Sequence, residues 1–387
     1  MNPKILIGID SFHDGGAEMF AIRLANSLAS SIEVHFLEFN TFVSKNKIQK
    51  KELSTWVSLF QPDRNWIARL LQFINTFLFF GKYKKVQNLQ DLLRQFLIKR
   101  YCKRNQIKNF NSHAILLNNS LIKVKEQLKD LNLVLTLHGH YEFHYINNPE
   151  QTKELLQLHS KGFDKVIYTT QEQLNNFISN GLVFEKAKRI FYGFEVPDFQ
   201  NDVIADRNDF NILLHSRAIS QKGWNEAVEA VFLLREKGLN VSLTLIGMGD
   251  LVSPFRYKYV SNNFIEIPGY IENVFPYIKR SKLGLLPTYF EGESLPNSVI
   301  ECLAMGKPVI STTVGAIEEM LNTPDGIAGD IIETVKGIPV DPKVLANLIE
   351  KYVVDLDYLN SKVKLSKLAF EKFNMEKCVK EYLSILA

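Results

Sequence analysis

Along the first forty positions the apolar residues fall in short runs, each punctuated by polar residues or glycine. Residues 5–9 read as a buried strand and Gly15-Gly16 as a turn. The apolar positions 17, 20, 21, 24, 25 and 28 then recur at helical spacing, before a second strand at 32–36. That is a βαβ start. Further apolar runs predict strands at 114–117, 133–137 and 165–169. The polar stretch 198–209 is the best linker in the chain. Beyond it the pattern restarts: strands at 211–215, 242–246, 264–267, 282–286 and 308–311, with helices over 224–237 and from Pro296. Alternating strands and helices on both sides of a linker predict an α/β protein of two facing, Rossmann-like, doubly wound domains. Ligands of such sheets bind outside the carboxyl ends of the strands, which here means an interdomain cleft.

Residues 64–110 break this rhythm. Ile67, Leu70, Leu71, Ile74, Phe77 and Leu78 share one helical face with Arg69, Gln72 and Asn75 opposite, and Leu89, Leu92, Leu93, Phe96 and Leu97 repeat the pattern. Two amphipathic helices follow. The apolar run 66–80 is shorter than the ~20 residues that span a bilayer and contains Arg69, so it can lie on a membrane without crossing one. Two readings stay open: helices that complete the acceptor domain, or helices that dock on anionic lipid.

Composition adds two things. At 387 residues the chain exceeds one ordinary core and fits two domains. Its net charge of +4 hides an asymmetry: residues 1–197 hold 26 Lys and Arg against 17 Asp and Glu, and the remainder 20 against 25. Within 64–110 there are eleven basic residues and one acid, Asp91, a field that attracts anionic partners. The three cysteines are far apart, with neither a disulfide framework nor a zinc spacing. The first residues lack the apolar region and cleavage site of a signal peptide, so a cytoplasmic location is expected, peripheral on the inner face of the cell membrane if the helices dock.

The densest chemistry lies at Glu293-Ser-Leu-Pro-Asn-Ser-Val-Ile-Glu301. Pro296 suits the first turn of a helix, with Ser294 or Leu295 in the cap region and Gly306 at the end. Glu293 then sits in the loop at a strand's carboxyl end, and Glu301 about two turns into the helix. The N–H groups of 294–297 point outward between them and suit a phosphate. A carboxylate on each side can accept hydroxyl hydrogen bonds. Sugar hydroxyls, diphosphate and ribose hydroxyls have that order in a nucleotide sugar.

With Met305-Gly-Lys-Pro-Val-Ile-Ser-Thr312 after it, this Glu-x7-Glu segment resembles the signature of retaining glycosyltransferase family 4, of the GT-B fold (glycosyl transferases group 1). Other segments resemble the family in order: Gly15-Gly16-Ala-Glu18, Thr136-Leu-His138-Gly139, Ser216-Arg217 with Lys222-Gly223, Ile246-Gly247-Met-Gly249, Pro268-Gly269-Tyr-Ile-Glu272 and Val314-Gly315-Ala-Ile-Glu-Glu319. The likeness covers the chain except 40–110. It implies an acceptor domain over 1–197, a nucleotide-sugar domain over 198–370, and a C-terminal helix over 371–387 that crosses back to the first domain. It also implies that Arg217 and Lys222 neutralise the departing diphosphate, that Gly16 lets the backbone approach phosphate, and that Glu301 holds the ribose. Glu293 would hold a sugar hydroxyl, His138 would contact the donor sugar, and Tyr270 and Ile271 would flank the base. Gly247, Ser294, Leu295 and Asn297 complete the donor set.

The resemblance thus implies a hexosyltransferase-type enzyme that takes a nucleotide-diphosphate sugar, with a UDP-sugar as the first expectation, and needs no metal or other cofactor. Its acceptor would be a glycan or lipid-linked hydroxyl in the assembly of surface polysaccharide (lipopolysaccharide or capsule) or glycolipid, with no role for nucleic acid. The alternatives are a nucleotide-sugar 2-epimerase of the same fold and a non-catalytic glycan-binding protein. Two motifs are set aside. Asp355-Leu-Asp357 resembles a metal-binding D-x-D but lies in a helical stretch, and His138, His140 and His144 have only Glu142 as a companion ligand.

Overall fold

The structure, a computed structural model, describes residues 4–12, 16–43, 50, 52–79, 84–138, 149–197, 204–290, 292–335 and 337–386. The chain divides into two compact units, Met1–Gly193 with Met375–Ala387, and Phe194–Asn374. The polar stretch 198–209 therefore begins inside the second unit, and residues 198–203 of it lie outside the described residues.

The first unit holds a seven-stranded sheet built from β1 (Lys4–Ile9), β2 (Glu33–Glu38), β3 (Ser58–Phe60), β4 (Asn109–Ser112), β5 (Asn132–Thr136), β6 (Lys165–Tyr168) and β7 (Ala187–Arg189). The order is β3-β2-β1-β4-β5-β6-β7 and every pairing is parallel. Its helices are α1 (Gly16–Leu28), α2 (Trp66–Phe79), α3 (Lys84–Asn105), α4 (Leu116–Gln127), α5 (Pro149–Gly162) and α6 (Gln171–Ile178). Runs such as Lys4–Ile9 are almost wholly buried because helices cover both faces of a parallel sheet. The chain reverses its winding between β1 and β4, the switch point at which ligands of such sheets bind.

One expectation fails in this unit. The strand predicted at 114–117 is instead Asn109–Ser112, and 116 opens α4. Its sequence, Asn-Phe-Asn-Ser, buries polar side chains: Asn111 and Ser112 are inaccessible and hydrogen-bonded, so no apolar run marks the strand. The apolar Ile115 and Leu117 instead offer backbone N–H groups to the Asp10 carboxylate at 3.0 and 2.9 Å, which holds the helix start. The facing of α2, left open by the sequence, puts polar side chains inward. Leu70 and Phe77 are exposed, while Asn75 is buried and the Gln72 amide accepts from Gln90 at 2.9 Å.

The second unit repeats the plan with β8 (Phe210–His215), β9 (Val241–Ile246), β10 (Ile265–Gly269), β11 (Leu283–Leu286) and β12 (Val309–Thr312). A small hairpin, β13 (Asn322–Thr323) with β14 (Gly326–Ile327), precedes β15 (Gly329–Ile332). The sheet order is β10-β9-β8-β11-β12-β15, again parallel, with its switch point between β8 and β11. Helices α7 (Trp224–Glu236), α8 (Val252–Lys258), α9 (Phe275–Arg280), α10 (Asn297–Ala304), α11 (Ile317–Leu321), α12 (Pro342–Val354) and α13 (Leu356–Phe370) complete it. Trp224, fully buried, anchors the core with Ile212, Leu243 and Leu245. The last helix, α14 (Met375–Leu386), packs on α1 within the first unit. Its buried Tyr382 hydroxyl lies 3.2 Å from Thr136 Oγ1.

Candidate functional site

At the second switch point the strand ends deliver a cluster of charge. β8 ends at His215, and the chain turns through Ser216 and Arg217 into a single 3₁₀ turn, Ser220–Lys222. Gly223 stops that turn with φ +78°, a left-handed conformation that glycine adopts without strain, and a Cβ there would lie 2.5 Å from the Pro287 carbonyl oxygen. Lys222 is thereby held against the end of β11. Its buried ammonium forms an ion pair with the buried Glu293, whose Oε2 also accepts from Thr288 Oγ1 at 3.2 Å. Phe290 meets both cations: Arg217 Cζ is 4.7 Å and Lys222 Nζ 4.9 Å from its ring centroid. Both positive charges thus lie against one electron-rich ring.

A second carboxylate stands nearby in the same unit. Glu301, on α10, accepts from His215 Nε2–H at 2.9 Å. α10 begins at Asn297, with Pro296 in the cap position and not in the first turn as the sequence suggested. The first N–H groups of a helix have no partner within it, and anionic groups are favoured beside them. Gly247 follows β9, and a Cβ there would come within 1.8 Å of the Ser216 carbonyl oxygen. Its role in the structure is to let β9 pass the turn that carries Arg217. Leu295 is buried as core, Ser294 is buried with its carbonyl accepting from Ala316 N–H at 3.0 Å, and Asn297 is half-buried. Tyr270 is well exposed beyond β10, with Ile271 half-buried beside it.

At the first unit's sheet edge the Asp10 carboxylate is taken up by backbone N–H groups, and beside it runs a chain of neutral side chains. Asn111 Oδ1 lies 2.6 Å from His113 Nε2, His113 Nδ1 lies 2.8 Å from His138 Nε2, and His138 Nδ1 lies 2.7 Å from the Tyr192 hydroxyl. An amide oxygen only accepts, so His113 donates from Nε2 and accepts at Nδ1. His138 then donates from Nε2 and accepts the tyrosine proton at Nδ1. One neutral tautomer of each ring satisfies the whole chain. Burial holds both histidines in that state, pushing His138 down to about 3 and His113 well below its ordinary value, with the neighbouring His138 charge adding to the effect on His113. Phe20 stacks on Tyr192 at 4.4 Å and closes the network on one side. Gly16 opens α1 and is exposed; Gly15, Gly139, His140, Glu142 and His144 lie outside the described residues.

A cavity of about 1030 Å³ in the first unit is lined by Asn40, Gln72, Gln90, Asn119, Ser120 and Lys123, among others. Arg94 borders it but is bound to Asp63 at 2.8 and 2.9 Å and to Asp91 at 3.2 Å. Among the described residues no group of three or more His, Cys, Asp and Glu is placed to hold a metal ion. Asp355, first residue of the D-x-D look-alike, caps α13 by accepting from Tyr358 N–H.

The sequence profile described as "Glycosyl transferases group 1" matches residues 209–354, most of the second unit and all of its charged cluster. Residues 209–354 thus match the group 1 glycosyl transferase family. Two curated relatives from Staphylococcus aureus are similar over part of their length. The capsular polysaccharide biosynthesis glycosyltransferase CapM is 29% identical over 182 residues, 46% of this chain and 44% of that protein. CapH, of the same description, is 26% identical over 157 residues, 39% of this chain and 43% of that protein. The chain thus spans less than half the length of either relative. Among solved structures, Anabaena Alr3699/HepE in complex with UDP and glucose superposes with a TM-score of 0.73 over 99% of both chains at 16% identity, which shows the GT-B fold.

Within the group 1 domain the structure brings Arg217, Lys222, Glu293 and Glu301 to one switch point. Two partners went unread in the sequence: Phe290, which gathers the cations, and His215, which meets Glu301. An aromatic residue three positions before Glu293, in the loop after a strand, is the signal that could have found Phe290. His215 was read only as a strand end. The histidine expected as a sugar contact, His138, has both ring nitrogens engaged inside the first unit.

Proposed function

We propose that the chain is a retaining hexosyltransferase that moves a sugar from a nucleoside diphosphate sugar, a UDP-sugar, to a glycan hydroxyl in surface polysaccharide assembly. One observation carries the reading: Arg217 and Lys222 are fixed on one aromatic ring beside Glu293, at the sheet position where the group 1 domain's strands open. Breaking the bond between the anomeric carbon and the phosphate oxygen leaves its electron pair on the diphosphate. Cations already in place stabilise that charge without reorganising, an effect worth about 3–4 kcal/mol per well-placed group. An ammonium has three donors, so the ion pair to Glu293 leaves Lys222 able to meet a phosphate oxygen. The other oxygen of Glu293 can accept from a sugar hydroxyl, and Glu301, steadied by His215, can hold the ribose. Tyr270 and Ile271 are assigned to the base, and Gly16 to close backbone approach in the first unit. The UDP and glucose held by Anabaena HepE and the capsular role in the names of CapH and CapM support donor and pathway class.

The acceptor glycan is assigned to the carboxamide-lined cavity, because Asn and Gln side chains both donate and accept, as sugar hydroxyls require. The test is calorimetry with UDP, GDP and ADP, followed by turnover of a UDP-sugar panel with the product's anomeric configuration read by NMR. UDP binding with transfer and retention is expected. Binding of none of the three, or epimerisation of the donor without acceptor, overturns the reading.

A further inference from the structure

The outward face of α2 is apolar. Trp66, Leu70, Phe73 and Phe77 recur every three or four residues and so form one stripe along the helix, and they are 70, 48, 56 and 68% exposed. On α3, packed against α2 through the Gln90–Gln72 hydrogen bond, Leu89, Leu92 and Phe96 are 52, 58 and 57% exposed. The same α3 stripe continues into exposed Lys85 at one end and exposed Arg100 and Lys103 at the other. Arg64 and Arg69 flank Trp66 and are exposed too. Isolated apolar residues on a surface need no explanation, but seven large ones in two stripes mark an interaction surface.

We infer that this face docks on an anionic lipid bilayer, an inference that stands whether or not the proposed transfer reaction is correct. Charge decides the occupant. The 64–110 segment carries eleven basic residues and one acid, and that acid, Asp91, is bound to Arg94. A second copy of the chain would bring the same basic residues face to face, which is repulsive. Anionic headgroups meet them instead, while the aromatic side chains enter the acyl boundary. Trp66 beside two arginines is the residue pairing favoured at the level of the headgroups. Among the described residues no helix is long and apolar enough to cross a membrane, so α2 and α3 would lie in its plane.

The test is sedimentation of the full chain with vesicles of phosphatidylcholine alone or mixed with phosphatidylglycerol, at low and high salt. Binding to the anionic vesicles only, weakened by salt, is expected. Phe73→Ser with Phe77→Ser, and separately Arg100→Glu with Lys103→Glu, should each lower the vesicle partition coefficient by roughly ten-fold or more. Both pairs are on the surface, and circular dichroism with UDP calorimetry checks that each variant is folded. In the unaltered protein, brominated lipid should quench tryptophan fluorescence, and Trp66→Phe should remove the quenched component. Four results overturn the inference: no sedimentation of the folded protein, equal binding to neutral vesicles, binding that survives the phenylalanine substitutions, or a dimer in solution that those substitutions dissociate.

Discussion

The two units share a sheet plan, yet the side-chain networks at their strand ends are built differently, and the first unit's Asp10 carboxylate is met by backbone N–H groups. In the first, imidazoles, an amide and a phenol form a chain that is satisfied only when every member is neutral. In the second, cations and carboxylates face each other around a phenyl ring. The same topology therefore dictates where chemistry gathers and leaves its sign to the side chains. A neutral network fixes shape, and an ionic cluster responds to a charged ligand.

The contrast breaks most severely at Lys222. Lys222→Met should lower transfer from a UDP-sugar by about 10²–10³-fold, the usual cost of losing one charge-stabilising group. It should also destabilise the fold by about 3–5 kcal/mol, because Glu293 is left as a buried, uncompensated carboxylate. Adding Glu293→Gln should restore most of the melting temperature and none of the turnover. A single variant that keeps turnover within a few-fold of the original removes Lys222 from the reaction.

Acid sharpens the comparison. His138 is held down to about 3 against an ordinary 6.5, so between those values the unfolded chain binds the extra proton. Stability from the neutral network is complete above pH 6.5 and declines as pH falls toward 3, by about 2 kcal/mol at pH 5 for this histidine alone. His159, pushed by burial down to about 4, adds in the same direction. Hydrogen exchange at pH 5 should show the first unit losing protection before the second, and the reverse order would contradict the neutral assignment. The smallest effect is expected at Phe290→Leu: losing the shared ring is worth about 1 kcal/mol, or roughly five-fold in UDP affinity by calorimetry. An unchanged affinity would leave Phe290 as packing alone.

The second unit was easier to read than the first. Its strands are apolar runs such as Val241–Ile246, buried throughout, and its charged residues lie in loops within short reach of a strand end. The hidden partners are those that meet only in three dimensions: His215 and Glu301 are 86 positions apart. In the first unit, β4 went unread because its buried residues are polar and satisfied by neighbours, a pattern that periodicity cannot separate from a loop. The helices over 64–110 were read as amphipathic, with their facing left open between a covered core and a lipid surface. Burial of apolar surface is the default only when the helix has no polar cavity to line, and α2 turns Gln72 toward one.

The bond between Lys222 and Glu293 also bears on turnover. A bare buried ammonium would hold a spent diphosphate as firmly as a fresh donor. Here an internal counterion waits beside it and can reclaim the ammonium as the leaving nucleotide slips away. On the proposed reaction, product escape would be eased by the same carboxylate assigned to the sugar, and small inorganic anions would gain less from entering a pocket whose charge is already half answered.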